Sequence, residues 1–202
     1  MDPVVLSDEE EAPRGGRHLA RTVAIASAIV LLAFVALLAT RKSEDSHQAE
    51  AKILGQAVPA VQGTTLDGTP YDISTHRGSW VVVNFFAHWC PPCVAEQPEL
   101  VKFAEEHKAA GDVQLVGVAF QDTEADVRSF FATNGGDWPV LVGDTGAIPL
   151  AFGVTKVPES YVISPDGEVV AKFEGVTQAK LDAVIAQFEA QSGAGANAPG
   201  SP

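Results

Sequence analysis

The sequence predicts one α/β domain whose central sheet has a parallel core and an antiparallel edge. Two buried strands and one hairpin carry that prediction. "WVVVNFF" (Trp80–Phe86) and "VQLVGVAF" (Val113–Phe120) are near-continuous β-branched and aromatic runs, the pattern of strands covered on both faces. A helical stretch separates them, as parallel neighbours require. "ESYVISPDGEVVAKFEG" reads instead as two strands joined at Ser164-Pro165-Asp166-Gly167, a turn composition that closes an antiparallel pair.

The elements follow in chain order. Residues 1–21, with "DEEEAPRGGR", read as a disordered cytoplasmic tail. Residues 22–40 read as a transmembrane anchor: from Val23 to Thr40 the chain has 18 residues without a charge, about 27 Å as a helix and close to the thickness of a bilayer's hydrocarbon. Arg14, Arg17 and Arg21 before it and Arg41 and Lys42 after it give a slight bias towards a cytoplasmic N-terminus. A cleaved signal peptide is the rival reading; the long run and the absence of a small-x-small site at its end weigh against it. Residues 41–52 are a polar linker, 53–191 the folded domain, and 192–202, "SGAGANAPGSP", a disordered tail.

Within the domain, Asp67-Gly68 sits between extended stretches and signals an N-terminal hairpin. A helix from about Cys90 to Ala110 ends at Gly111. "TEADVRSFFATNGG" is a helix with Thr123 as N-cap and Gly135-Gly136 as its stop. "WPVLVGD" is a third strand and "TGAIPLAFGV" holds a short helix. The last helix, "TQAKLDAVIAQFEAQ", lines up Leu181, Val184, Ile185 and Phe188 on one face. Trp80 and Trp138 read as core residues.

Composition narrows the function. A formal net charge of -13, with no Lys/Arg cluster, argues against a nucleic-acid partner. Two cysteines are too few for a disulfide scaffold or a closed four-thiolate zinc site.

Both cysteines lie in "HWCPPC", where the first buried strand gives way to a helix. Pro91 and Pro92 suit first helical positions, whose N–H groups would lack partners anyway. The helix therefore begins at Cys90, and its free amides and positive dipole end face that sulfur. Both favour thiolate over thiol. Closing so short a loop removes little unfolded-chain entropy, which disfavours a purely structural bridge. Cys90 is read as the attacking thiolate and Cys93 as the resolving thiol. A local disulfide without chemistry stays open, as does a soft ion such as Cu(I) held by His88, Cys90 and Cys93. Glu96 lies one helical turn past Cys93; its carboxylate either handles the Cys93 proton or complements the helix dipole. His88 is either an imidazolium that stabilises the thiolate or a solvated loop residue.

"VVVNFFAHWCPPCVAEQPEL" resembles the thioredoxin superfamily, whose motif is Trp-Cys-x-x-Cys after an apolar strand. The apolar N-terminal run, the Cys-x-x-Cys-x-x-Glu-x-Pro pattern ending at Glu96 and Pro98, and "GVTKVPESYVISPDG" resemble the TlpA/ResA/CcmG-type membrane-anchored thioredoxin-like proteins of bacteria. The resemblance covers about 140 residues and implies a thioredoxin fold, a central mixed sheet flanked by helices. It implies that Trp89 flanks the nucleophile, with Pro91 and Pro92 between the cysteines, and that Pro98 kinks the active-site helix. Val157-Pro158 matches the cis-proline loop that aligns substrate backbone. Glu159 resembles the Pro-Glu of the CcmG-like branch and is expected to tune substrate choice. Thioredoxins carry a buried Asp six residues before the first cysteine; Asn84 stands there and cannot take a proton, which makes Glu96 the expected proton handler.

The expected function is a single-pass protein of the bacterial cell membrane with an extracytoplasmic, monomeric domain. It would reduce disulfides in protein substrates such as apocytochrome c, with no cofactor, recharged by a transmembrane thiol donor. The alternatives are a disulfide-forming oxidase of the same fold and an anchored copper-binding module.

Overall fold

The computed structural model describes residues 21–37, 53–143 and 145–196. The chain divides into two compact units, Met1–Gln48 and Ala49–Pro202. In the first, the described part is one helix, α1 (residues 21–37), whose residues are all exposed, Ile25, Ile29, Leu32 and Phe34 among them. Among the described residues no helix is long and apolar enough to cross a membrane. The expected anchor is described only as far as Leu37; residues 38–40, the tail at 1–20 and the linker at 41–52 lie outside the described residues, as do 197–202.

The second unit opens with the expected hairpin, β1 (Gln62–Thr64) antiparallel to β2 (Pro70–Asp72), followed by a 3₁₀ turn at Ile73–His76 that Asp72 caps by accepting from Ser74 N–H. The main sheet takes β3 (Trp80–Phe86), β4 (Val113–Ala119), β5 (Val140–Leu141), β6 (Glu159–Ile163) and β7 (Val169–Phe173) in the order β5-β4-β3-β6-β7. β3, β4 and β5 are parallel, while β6 and β7 join antiparallel. The expected mixed sheet is the one found. In the β6–β7 turn Gly167 takes φ +81° and donates to the Ser164 carbonyl at 2.8 Å, a conformation only glycine adopts cheaply.

Side chains alternate across β3. Val81, Val83 and Phe85 face a core with Val61, Tyr71, Phe152 and Tyr161. Trp80 and Val82 face α2 (Pro91–Lys108) and α5 (Gln178–Ala196), meeting Leu100, Phe103, Leu181 and Ile185. A third cluster gathers Phe86, Cys90, Cys93 and Ala119 with Val127 and Phe130 of α3 (Glu124–Asn134). The short helix α4 (Ala147–Phe152) covers the first face.

Two boundaries differ from the sequence reading. Of "WPVLVGD" only Val140–Leu141 pairs with β4: Pro139 has no N–H to give a ladder, and Gly143 at φ +81° turns the chain away. α5 continues to Ala196, so the helix runs into the stretch read as a tail. Elsewhere Thr123 caps α3 as expected, accepting from Asp126 N–H, and Gly135 at φ +78° stops it.

At the end of α2, His107 ties three segments together. Its Nδ1 meets Asp112 at 3.0 Å and its Nε2 meets Asp182 of α5 at 3.1 Å. Burial alone would lower its pKa, but the hydrogen bonds its ring donates to Asp182 and Asp112 outweigh that and raise it. A histidine raised in the folded state stabilises fully below its unfolded pKa and loses that contribution as pH rises through the folded value. His107→Gln should therefore cost about 1 kcal/mol at pH 6 and progressively less above neutral, read as urea midpoints across pH.

Candidate active site

The dithiol sits where β3 ends. Cys90 N–H donates to Ala87 C=O at 3.2 Å, closing a turn with His88 and Trp89 at its corners. Cys90 is the N-cap of α2 with extended backbone, and Pro91 and Pro92 occupy its first helical positions. The Cys90 sulfur accepts from Cys93 N–H at 3.2 Å. Cys90 and Cys93 are joined as a disulfide, their Cα atoms 5.3 Å apart, and they are only 4% and 1% exposed. Pro91 and Pro92 are exposed beside them, and the Trp89 ring is 51% exposed. The helix end thus offers an N–H and a positive dipole to one sulfur, which stabilises a thiolate there once the bond is reduced.

Opposite the sulfurs lies the Val157-Pro158 loop, whose peptide bond is cis, as the resemblance implied. The Val157 carbonyl oxygen is 3.5 Å from Cys90 Sγ. Pro98 lies inside α2.

Glu96 lies one helical turn past Cys93 in α2 and is 6% exposed. One carboxylate oxygen accepts from Asn84 Nδ2 at 2.9 Å and the other from Val176 N–H at 2.9 Å. Asn84 donates its other amide hydrogen to Ser160 Oγ at 2.9 Å. Burial raises the Glu96 pKa, against the lowering by Val176 N–H and Asn84. A carboxyl so placed exchanges its proton closer to neutral pH than an exposed one.

Glu159 is placed elsewhere. It pairs with Phe85 in register and shares the face of Tyr161, whose hydroxyl donates to it at 2.7 Å, while Lys172 lies 3.3 Å away. It is 1% exposed and lies on the face of the sheet away from α2.

His88 is not a free loop residue. Its main-chain N–H donates to Asp122 Oδ2 at 2.7 Å and its Nδ1 contacts Asp122 Oδ1 at 2.6 Å. Trp89 Nε1 donates to the Gln121 carbonyl at 3.3 Å. Among the described residues the grouping with metal-ligand spacing is His88, Asp122 and Asp126, rather than His88 with the two cysteines. Sequence reasoning missed Asp122, Gln121, Ser160 and Val176. One signal was present for the first two: they follow β4 at its C-terminal end, the edge where open α/β sheets gather their functional groups.

The comparisons agree with this geometry. The chain is 28% identical over 122 residues to the thiol-disulfide oxidoreductase ResA of Bacillus thuringiensis subsp. konkukian, covering 60% of this chain and 70% of that protein. It is 28% identical over 153 residues to the thiol:disulfide interchange protein HelX of Rhodobacter capsulatus, covering 72% and 84%. Among solved structures, a thioredoxin-family thiol:disulfide interchange protein from Chlorobium tepidum TLS aligns with a TM-score of 0.60 at 29% identity, over 66% of this chain and 95% of that one. Residues 53–186 match the Redoxin family model; with a redox pair at the head of α2 and relatives that exchange thiols and disulfides, the chain belongs to the Redoxin family.

Proposed function

We propose that the protein is a membrane-anchored, extracytoplasmic thiol–disulfide oxidoreductase that reduces disulfides in protein substrates. The observation that carries this reading is a cysteine pair at a helix N-terminus with the buried carboxyl of Glu96 one helical turn on. Cys90 attacks the substrate disulfide as a thiolate, forming a mixed disulfide. Cys93 then resolves it, and Glu96 takes the Cys93 proton. Trp89, Pro91 and Pro92 border the sulfurs on the open side, and Val157-Pro158 aligns the substrate backbone. The uncharged run from Val23 to Thr40 supports the anchor, similarity to a thiol-disulfide oxidoreductase and a thiol:disulfide interchange protein supports the disulfide chemistry, and the extracytoplasmic placement and apocytochrome-type substrates rest on the resemblance to the TlpA/ResA/CcmG-type proteins. A transmembrane thiol donor returns electrons to the pair.

The test is the reduction potential of the Cys90–Cys93 pair in dithiothreitol buffers. A reductant lies near roughly -270 mV and an oxidant near roughly -120 mV; a value at the oxidising end overturns the direction assigned. Glu96→Gln tests the proton acceptor. Glu96 is active when ionised, and burial raises its pKa, so wild-type turnover should climb with pH above the usual carboxylate range. The variant should lose that limb and on the order of 100-fold in rate at its plateau, measured as a pH–rate profile.

A further inference from the structure

The loop after β4 grips the turn that carries the nucleophile at three successive residues. Phe120 N–H donates to Phe86 C=O at 2.9 Å. Gln121, with φ +48°, gives its carbonyl to the Trp89 indole. Asp122 accepts from both the main chain and the ring of His88, and also from Thr123 N–H at 2.8 Å. The Asp122 side chain is 1% exposed and that of His88 39%. An anchored, buried acceptor thus holds a ring that remains open to solvent.

This arrangement orients the imidazole. A carboxylate only accepts, so Nδ1 is the donor in this contact and Nε2 is the ring nitrogen left outside it. Asp126, whose hydrogen-bonded partner is Thr123 Oγ1, has a carboxylate oxygen within 4.8 Å of the His88 and Asp122 atoms. His88 is two residues from Cys90, no more than about 7 Å of chain. Glu96, only 6% exposed, is closed to a group arriving from solvent.

We propose that His88, its tautomer held by Asp122, is the general acid for the substrate side of the exchange. The inference rests on the reductase reading above. Cys90 thiolate attacks one sulfur of R–S–S–R′, forming the Cys90–S–S–R bond and expelling R′–S⁻. Imidazolium Nε2–H protonates R′–S⁻ to the thiol, and the neutral ring stays on Asp122 through Nδ1–H. Cys93 then gives its proton to Glu96, attacks the Cys90 sulfur and expels R–S⁻, which the ring protonates after taking a proton from water. Two electrons pass from the dithiol to the substrate, and two protons end on its thiols.

A general acid matters in proportion to the basicity of the leaving thiolate, since less basic thiolates leave unaided. The test compares reduction of oxidised glutathione, which expels an alkyl thiolate, with that of dithiobis(nitrobenzoate), which expels an aromatic one. In His88→Gln the ratio of the alkyl to the aromatic rate constant should fall on the order of 100-fold, and in Asp122→Asn it should fall in the same direction but less. Melting curves confirm that both variants fold. An unchanged ratio overturns the proposal. So does an equal fall in both rates with a shifted Cys90 titration, which would assign the imidazole to the Cys90 thiolate instead. Failure of the wild-type protein to reduce either compound would sink the reductase reading itself, a separate result.

Discussion

Cys93→Ser should accumulate a mixed disulfide between Cys90 and its protein substrate, visible as a reducible higher-mass species on a non-reducing gel, while Cys90→Ser should accumulate none. The asymmetry follows from where each sulfur lies. Cys90 caps α2 and receives the Cys93 N–H, so its thiolate is the stabilised one. Cys93, 1% exposed, meets a substrate only after the substrate is joined to Cys90. Turnover should fall by at least about a thousandfold in either variant, as for loss of any covalent nucleophile. Trapping by Cys90→Ser instead would reverse the two roles.

Asn84→Asp should give the largest pH-dependent loss of stability. The substitution sets a second carboxyl 2.9 Å from Glu96 on a strand position that is 2% exposed. The amide now donates both hydrogens, to Glu96 and to Ser160; a carboxylate would donate neither and would repel Glu96. The pair then retains a proton and titrates jointly above the ordinary carboxylate range. An acid raised in the folded state leaves stability intact below its unfolded pKa and removes it as pH rises through the folded value. The variant should therefore match the wild type at about pH 4 and lose about 3 kcal/mol at pH 7, roughly a 10 °C drop in Tm. An equal deficit at both pH values would mean that packing, not charge, is responsible.

What sequence could reveal depended on range. β3 spans the residues read as "WVVVNFF" because a strand buried on both faces leaves an uninterrupted apolar signature. The helix start at Cys90 was legible because Pro91 and Pro92 act locally. Glu96 was found by its helical spacing from Cys93. Its partners were not: Asn84 comes from 12 residues away and Val176 from 80, separations that only the folded sheet closes. His88 stayed ambiguous for the same reason, since Asp122 lies 34 residues on. Glu159 followed a resemblance; its register opposite Phe85 and its bond from Tyr161 are set by strand pairing that local spacing does not display.

The Val176 N–H that holds Glu96 belongs to the segment leading into α5, which Leu181 and Ile185 fasten onto α2. The C-terminal helix therefore helps to fix the Glu96 carboxyl although it carries none of the sulfur. Shortening the chain at that end, or fusing a bulky partner to it, would retune the acidity beneath the cysteines while the sheet stayed folded. Damage far along the sequence would then register first as altered redox behaviour and only later as loss of the protein.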